Sequence, residues 1–290
     1  MKMKILLTGG SGFIGKNFFE HYRDEYDLLA PSHQELDLTN TNQVNNFFKK
    51  NSIDLVLHCA SIGGKRNDND DSNTFEQNLK IFFNIVRQQD KFKKMIHLGS
   101  GAEYNKSKNI YQVKEDDFDK SVPQDKYGFY KYVCSKYIQN SDKIYCLRLF
   151  GVFGKYEDYR VKFISNLICK YILKLPLTMI QDACFSYVYI DDLIKILKYF
   201  INKKPKHKFY NIGPNKKNSL LSLAKKINQL DNYSLEIIIQ KKGFNKEYSC
   251  NNSRLRKEIK NFNFQRIDTS IKNLYLWYKN NIKSININSL

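Results

Sequence analysis

The stretch KILLTGGSGFIGKNFFEHY, residues 4–22, joins an apolar segment to an amphipathic one through evenly spaced glycines. The apolar run at 5–7 predicts a short buried β-strand. From Phe13 to Phe19, aromatic and aliphatic residues recur at helical spacing, which predicts a helix directly after the glycines. The chain therefore begins as strand, glycine turn and helix.

The glycines form the pattern G-x-x-G-x-x-G in the context that a dinucleotide-binding turn requires. Glycine lets the backbone turn and approach a pyrophosphate, and the helix start offers free N–H groups and a positive dipole end. The pattern predicts that the diphosphate of a dinucleotide cofactor lies on this loop. The predicted contacts are Gly9, Ser11, Gly12, Phe13, Ile14 and Gly15.

Strand-type and helix-type segments alternate as far as about residue 155, and the strand-type segments are uniformly apolar. This alternation is typical of a doubly wound parallel sheet covered by helices on both faces, so the predicted fold class is α/β. The predicted cofactor domain is 1–155, with 185–213 returning to it. Residues 156–184 and 214–290 are predicted to form a smaller C-terminal α/β lobe that binds the substrate over the sheet's carboxyl edge.

The end of the second predicted strand bears on the type of cofactor. NAD sites place an acidic residue there to hold the ribose 2′-OH. Here that position holds Ala30 or Pro31, and Ser32 and His33 follow, which could meet a 2′-phosphate. NADPH is therefore the predicted cofactor, and NADH is the alternative because Glu35 becomes the acid if the alignment shifts by a few residues.

Asp37 and Leu38 lie a few residues further along. A carboxylate at this point can accept a hydrogen bond from the adenine amino group, so both residues are predicted cofactor contacts. The alternative interpretation is that Asp37 is a helix N-cap or an ordinary surface residue.

Five Tyr-x-x-x-Lys pairs occur in the chain, so the spacing alone is weak evidence. Tyr127 and Lys131 share one face of the predicted helix that follows Ser100, a serine at the end of a predicted buried strand. The other four pairs are set aside: Tyr132/Lys136 face elsewhere on that helix, Tyr104/Lys108 lie in a polar loop, and Tyr199/Lys203 and Tyr275/Lys279 lie near helix ends without a serine partner. A tyrosine O–H can protonate the oxygen of a ketone that accepts hydride, a neighbouring ammonium eases that proton transfer, and a serine hydroxyl can stabilise the same oxygen. These three residues are the predicted catalytic group.

Composition excludes several other classes. The net charge of +19 is compatible with polyanion binding, but the lysines are spread along the chain, so nucleic-acid binding is not predicted. No apolar stretch approaches the ~20 residues of a membrane span, and the first apolar run is too short for a signal peptide. The six cysteines lack a C-x-x-C pattern and are predicted to be reduced. A cytoplasmic protein without a metal site is expected.

Several motifs in their order along the chain resemble the extended short-chain dehydrogenase/reductases that act on nucleotide sugars: TGGSGFIG, HCAS, LGSGAEY, YGFYK, RLFGVFG, YIDDL and YNIG. The resemblance implies a Rossmann-type sheet, the catalytic trio named above, a ribose contact from Lys131, further cofactor contacts at Cys59 and Ala60, and a homodimer built on helices near 75–90 and 127–140. The implied substrate contacts are Ser100, Gly101, Ala102, Tyr127, Phe150, Gly151 and Arg254.

Two stretches refine this resemblance. SIGGKRND, residues 61–68, is similar to GDP-L-fucose synthases, but their epimerising Cys and His would fall near Ala102 and Tyr156, which cannot act as that acid/base pair. RLFGVFGKYEDYR and NNSRLRKEI resemble 4-keto-6-deoxysugar reductases such as dTDP-4-dehydro-6-deoxyglucose reductase, in which Arg254 would pair with substrate phosphates. Glu103 is expected to point away from Ser100, so dehydration is not predicted.

The predicted function is NADPH-dependent reduction of the C4 ketone of a nucleoside-diphosphate 4-keto-6-deoxyhexose, in activated-sugar synthesis for surface polysaccharide. A nucleotide-sugar 4-epimerase with tightly bound NAD is the first alternative, because it would use the same trio. A non-catalytic sensor or nucleic-acid-binding protein on the same fold is the second, and the intact trio argues against it.

Overall fold

The computed structural model describes residues 2–63 and 72–290. Most of the stretch 61–68 that resembles GDP-L-fucose synthases therefore lies outside the described residues. The strands are β1 (Lys4–Thr8), β2 (Asp27–Leu29), β3 (Leu55–His58), β4 (Lys94–Ser100), β5 (Ile110–Val113), β6 (Ile144–Leu149), β7 (Val152–Phe153), β8 (Leu177–Met179), β9 (Cys184–Phe185), β10 (Val188–Tyr189), β11 (Phe209–Ile212), β12 (Asn218–Ser219), β13 (Ile237–Ile239) and β14 (Tyr248–Cys250).

The α-helices alternate with these strands through the first half of the chain. They are α1 (Phe13–Tyr22), α2 (Thr41–Lys50), α3 (Ser72–Val86), α4 (Lys126–Ile138), α5 (Phe163–Ile172), α6 (Ile190–Asn202), α7 (Leu220–Ile227), α8 (Ser253–Glu258) and α9 (Ile267–Asn280).

The central sheet has six strands in the order β11-β6-β4-β3-β1-β2. All neighbouring strands in it are parallel. From β1 the chain goes to β2 on one side and then to β3 on the other, and such a switch opens a crevice at the carboxyl ends of the strands. The predicted Rossmann-type α/β fold is confirmed.

Separate apolar clusters cover the two faces of the sheet, which explains why its strands carry no polar alternation. On one face, Phe18 of α1 and Leu193 of α6 pack on Ile5 and Leu7. The other face belongs to α2, α3 and α4, whose buried residues pack against Leu6 and the neighbouring strands. The helices therefore hold the sheet from both sides and leave its carboxyl edge open.

Part of the C-terminal half forms a second, four-stranded sheet in the order β12-β9-β14-β5. Its strand β5 comes from the segment just after β4, so this segment ties the lobe to the carboxyl edge of the central sheet. The segment 185–213 is predicted to return to the cofactor domain. Its strand β11 does extend the central sheet. Strand β9, at the start of that segment, belongs to the lobe sheet instead. The division into a cofactor domain and a substrate lobe at the predicted bounds stays a prediction. One buried apolar cluster spans both parts.

Local features of the sequence end two of the parallel strands, β2 and β6. β2 stops at Leu29, two residues before Pro31, which has no N–H to donate to a strand ladder. β6 stops at Leu149, because the backbone turns at Gly151 with a φ of 24° before β7 begins. Both strand ends lie at the carboxyl edge of the central sheet.

Within residues 2–63 and 72–290, no helix is long and apolar enough to cross a membrane. All six cysteines are free thiols, as predicted. The cytoplasmic location stays a prediction.

Candidate active site

The glycine loop packs so closely that side chains would disrupt it. Gly9 has a φ of 68°, and a methyl group there would lie 2.8 Å from the backbone nitrogen of Ala60. A methyl group on Gly15 would lie 2.2 Å from the carbonyl oxygen of Gly9. α1 begins at Phe13, and its N-cap Gly12 has no side chain to bond the first N–H groups. These groups are therefore positioned to bind an anion, as a dinucleotide diphosphate requires.

The remaining loop residues differ in exposure. Ser11 is exposed, whereas Phe13 and Ile14 are half-buried against the core. Across the loop, the side chain of Ala30 lies against Gly10, because a methyl group on Gly10 would come within 2.9 Å of it. The end of β2 thus borders the predicted cofactor loop.

The segment after β2 carries the residues predicted to select the cofactor. Ser32 and His33 are exposed, and the backbone N–H of Ser32 donates to the carboxylate of Glu35 at 2.7 Å. The Glu35 carboxylate is therefore engaged in a local turn. The two residues directly after β2, Ala30 and Pro31, carry no carboxylate.

Asp37 lies in a second turn before α2. Its carboxylate accepts from the backbone N–H of Thr39 at 2.9 Å and from the Thr39 hydroxyl at 2.8 Å. Slight burial opposes ionisation, but these hydrogen bonds outweigh it and lower the pKa of Asp37. The N-cap of α2 is Asn40, so the alternative interpretation of Asp37 as that cap is wrong. The carbonyl of the neighbouring Leu38 accepts from Asn84 at 2.9 Å.

The carboxyl end of β3 closes the loop from the other side. The Thr8 hydroxyl is 2.8 Å from Nδ1 of His58 and accepts from the backbone N–H of Ala60 at 3.2 Å. Burial raises the pKa of Cys59 to about 12, so this predicted cofactor contact is a neutral thiol at physiological pH. Thr8 and His58 were not predicted from the sequence, and they lock the two strand ends together.

The predicted catalytic residues converge at the end of β4. Ser100 is the last residue of that strand, and the Lys131 ammonium donates to the carbonyl of Leu98 in the same strand at 2.5 Å. Tyr127 is one helical turn before Lys131 on α4. A methyl group on the adjacent Gly128 would lie 2.8 Å from the Ala102 carbonyl, so the start of α4 packs directly on the segment after Ser100.

Lys131 is buried among phenol groups. Burial alone would lower its pKa, but the charge interactions with Tyr130 and Tyr127 outweigh it and raise the pKa of Lys131 above its usual range. Tyr130 in turn hydrogen-bonds the Ser61 hydroxyl, and its ring lies edge-on to that of Tyr127. The ammonium next to Tyr127 is thus a permanent charge.

The overlapping pair on α4 has a different environment. Tyr132 and Lys136 both bond to the exposed carboxylate of Asp119, and the Lys136 contact measures 2.9 Å. They form a surface cluster that faces away from Ser100.

Glu103 does not point away from Ser100, so that prediction is wrong. Residues Gly101–Tyr104 form a 3₁₀ turn, and this turn brings one Glu103 carboxylate oxygen to 2.9 Å from the Ser100 backbone nitrogen. The other oxygen accepts from Arg148 Nε at 2.7 Å and from the Ser135 hydroxyl at 2.6 Å. The carboxylate lies beneath Ser100 and is fully engaged, so it is not an acid that faces a substrate.

Two of the predicted substrate contacts, Phe150 and Gly151, directly follow Leu149 of β6, which pairs with Ser100 in the central sheet. Phe150 is buried, and a methyl group on Gly101 would lie 2.7 Å from its ring. Gly151 turns at positive φ, and a methyl group there would lie 2.6 Å from the Ser186 carbonyl. Only glycine fits at positions 101 and 151. Ala102 is buried directly under α4.

Tyr248 of β14 belongs to the site but was missed in the sequence. Its hydroxyl is 3.5 Å from Oγ of Ser100, and its ring centre is 4.9 Å from that of Phe150. Tyr248 also lines a cleft between the lobe and the loop that follows Ser100, which supplies Lys106 and Lys108. A lone tyrosine 148 residues downstream carries no pattern that would have marked it.

The structure does not bring Arg254 to this cleft. Its guanidinium donates to Asp116 at 2.6 Å and to the Phe209 carbonyl at 3.3 Å, in a separate surface depression. The local acidic turn 115–117 holds it there, and this long-range pairing was not visible in the sequence.

The cleft has a volume of about 540 Å³. Its lining includes cations that were not predicted as a group: Lys106, Lys108, Arg160, Lys170 and Lys246. Glu247 is the carboxylate among the cleft's described lining residues. A larger cavity, of about 1170 Å³, lies at the opposite, amino-terminal edge of the sheet around Lys4 and Lys94, far from Ser100.

The dinucleotide-type loop and the Ser-Tyr-Lys cluster at a strand end define an oxidoreductase of the nicotinamide-dependent class. Residues 5–213 match the model of the NAD dependent epimerase/dehydratase family, and the chain belongs to this family. Its members are NAD(P)-dependent oxidoreductases that act on nucleotide sugars. The resemblance to extended short-chain dehydrogenase/reductases is thereby confirmed.

Individual relatives are distant but cover much of the chain. GDP-L-colitose synthase from Yersinia pseudotuberculosis is 25% identical over 224 residues, which are 69% of this chain and 72% of that protein. A GDP-L-fucose synthetase structure from Naegleria fowleri bound to NADP has a TM-score of 0.84 at 17% identity and covers 97% of this chain and 94% of its own. A GDP-mannoheptose C4 reductase from Campylobacter jejuni with NADP bound has a TM-score of 0.79 at 19% identity, with 96% and 98% covered.

Proposed function

We propose that this protein reduces the C4 ketone of a nucleoside-diphosphate 4-keto-6-deoxyhexose with NADPH, in the synthesis of activated sugars for surface polysaccharide. The observation that carries the proposal is the convergence at the end of β4. Ser100 ends the strand, Lys131 bonds to Leu98 of the same strand, and Tyr127 lies one helical turn before Lys131.

Each residue has a role that follows from its chemistry. When bound, the nicotinamide supplies the hydride. Tyr127 donates the proton to the oxygen that becomes negative, and the Ser100 hydroxyl stabilises that oxygen by a hydrogen bond. The buried charge of Lys131 stabilises the phenolate that Tyr127 becomes, because opposite charges interact strongly away from water.

The cations of the cleft support a nucleoside diphosphate as the carrier of the sugar. Lys170 is half-buried, and its ammonium donates to the Thr178 hydroxyl at 2.7 Å. Lys246 donates to the carbonyl of Ser107, which draws the loop after Ser100 toward the lobe. A diphosphate between these groups would place the attached sugar toward Tyr248 and Ser100. The name of the GDP-L-colitose synthase relative agrees with a nucleotide sugar.

NADPH is preferred in this proposal because β2 ends at Leu29 and the residues that follow it, Ala30 and Pro31, have no acidic side chain. Glu35 is already bonded to the Ser32 N–H, so a 2′-phosphate would meet Ser32 and His33 in place of a carboxylate. The two NADP-bound structures of the same fold support this choice. The name of one of them, a C4 reductase, supports the position of the ketone.

Reduction is favoured over prior epimerisation by the residues at the two positions where acid/base groups would fall. Ala102 has no proton to exchange. The Tyr156 hydroxyl donates to Glu20 at 2.7 Å, and its ring packs on Trp277. Tyr156 is therefore engaged at the outer face of α1.

The test is NADPH oxidation by the purified protein with 4-keto-6-deoxy sugars linked to dTDP, GDP, CDP and UDP, each made in place by a 4,6-dehydratase. NADH is run in parallel. Rapid oxidation with one substrate and NADPH supports the proposal and identifies the nucleotide. If no substrate is reduced and the protein instead interconverts C4 epimers without net cofactor use, the proposal is wrong and the 4-epimerase alternative replaces it.

A homodimer through α3 and α4 is part of the proposal. The rings of Phe75 and Phe129 stack across these helices at 5.4 Å, and Phe129 is 38% exposed, which leaves an apolar surface for a second copy. Sedimentation velocity of the wild type and of Phe129→Asp tests it. A dimer that the variant dissociates agrees with the proposal, and a monomeric wild type contradicts it.

A further inference from the structure

Among the described residues of the C-terminal lobe, Tyr248 is the one whose side chain comes within hydrogen-bonding distance of Ser100 Oγ. Strand β14 carries it there, because β14 lies between β5 and β9 in the lobe sheet. The Tyr248 hydroxyl lies 3.5 Å from Ser100 Oγ. Proton donors at catalytic sites are often this far from their acceptors before the substrate binds.

The ring of Tyr248 has little freedom to take its hydroxyl elsewhere. It packs on Phe150 with ring centres 4.9 Å apart and on Phe185 at 5.8 Å. Gly101 lies against its tip, since a methyl group on Gly101 would come within 2.6 Å of the Tyr248 oxygen. The position of the hydroxyl is therefore determined by packing.

The hydrogen bonds that Ser100 can make explain why the position of the Tyr248 hydroxyl matters. A serine hydroxyl has one hydrogen to donate and two lone pairs to accept with. The backbone N–H of Ala102 already donates to Ser100 Oγ at 3.1 Å and occupies one lone pair. If Tyr248 donates to the second lone pair, the serine hydrogen is left for the reacting oxygen of the substrate.

We propose that Tyr248 is a positioning residue that donates to Ser100 Oγ and thereby directs the Ser100 hydrogen toward the reacting oxygen of the sugar. This inference rests on the proposed role of Ser100. Donation into Ser100 also polarises its O–H, because hydrogen bonds in a chain strengthen one another. Burial raises the pKa of Tyr248 above its usual range, so the hydroxyl keeps its proton throughout the pH range of an assay.

The experiment is a double-mutant cycle on kcat with Tyr248→Phe, Ser100→Ala and the double variant. Phenylalanine keeps the ring and its packing and removes only the hydroxyl. Tyr248→Phe is expected to lower kcat about tenfold with KM within about twofold, as expected for a hydrogen bond used mainly in the transition state. In the Ser100→Ala background the same change is expected to have no further effect. Slow variants are measured under single-turnover conditions with enzyme in excess.

Tyr111→Phe is the matched control, because Tyr111 is an exposed tyrosine on the neighbouring strand β5. Its kcat should equal that of the wild type. An equal loss from Tyr248→Phe in both serine backgrounds, or a change confined to KM, would overturn the proposal. If the wild type interconverts C4 epimers and reduces no ketone, the cycle is run on that reaction, which also needs Ser100. In that case the proposed reduction is wrong, but the cycle still shows whether Tyr248 acts through Ser100.

Discussion

Glu103 and Arg148 form a 2.7 Å ion pair directly beneath Ser100, and their side chains are 0% and 1% exposed. The guanidinium contacts the rings of both Phe118 and Phe209, at 4.3 and 4.5 Å from the ring centres. The Glu103 carboxylate also accepts the Ser100 N–H, so this buried pair supports the backbone of the site. A buried pair of this kind costs desolvation, and removing one partner leaves the other charge uncompensated.

We expect Glu103→Gln to lower the free energy of unfolding by about 3–5 kcal/mol, because Arg148 would remain buried without its counter-ion. Urea denaturation followed by circular dichroism measures the change. Glu76→Gln on the exposed face of α3 is the control and should shift the free energy by less than about 0.5 kcal/mol. The double variant Glu103→Leu/Arg148→Met should be more stable than Glu103→Gln. Equal free energies of unfolding for these two proteins would contradict this account.

Tyr127→Phe should reduce kcat by about 10²–10⁴-fold, because it removes the proposed proton donor. Cofactor affinity should stay within about twofold, as followed by fluorescence titration with NADPH. Tyr132→Phe is the matched control on the same helix, since its hydroxyl bonds to Asp119 on the surface. Near-wild-type kcat in Tyr127→Phe would show that the proton comes from another group.

Lys170→Met should raise the KM for the nucleotide sugar about tenfold, because a charge-assisted hydrogen bond to phosphate contributes about 1.5–3 kcal/mol. Arg254→Met should leave KM within about twofold, since Arg254 pairs with Asp116 outside the cleft. Steady-state kinetics of both variants with the same substrate separates the two positions. A large KM effect in Arg254→Met alone would restore the assignment made from the sequence.

Stability should depend on pH through Glu157. Burial raises the pKa of Glu157 from 4.5 to about 7, although the Ser165 hydroxyl donates to it at 2.6 Å. The folded state therefore holds its proton more tightly, so this carboxyl's contribution to stability is fully present below about pH 4.5 and is lost as the pH rises through about 7. The loss is roughly 3 kcal/mol at alkaline pH, as an order of magnitude.

Glu157→Gln keeps an acceptor for Ser165 and removes the titration. Urea denaturation at pH 5.5 and 8.5 should show a smaller decrease in stability for the variant than for the wild type. Equal decreases in the two proteins would mean that other groups produce the pH dependence.

Local sequence was sufficient wherever the signal lies within one element or one turn. The glycine loop, the helix after it, the strand-end position of Ser100 and the Tyr127/Lys131 spacing are all of this kind. Their geometry follows from short-range sterics and helical periodicity, so it can be worked out from neighbouring residues alone.

The tertiary structure determined three positions: the direction of the Glu103 side chain, the contact of Tyr248 with Ser100, and the location of Arg254 outside the cleft. The 3₁₀ turn after Ser100 overrides the alternation of a strand and turns the Glu103 carboxylate toward Arg148, 45 residues away. Tyr248 and Ser100 are 148 residues apart, and Arg254 and Asp116 are 138 apart. Such contacts depend on how the lobe strands pair and pack, because no local propensity specifies which distant side chains will meet.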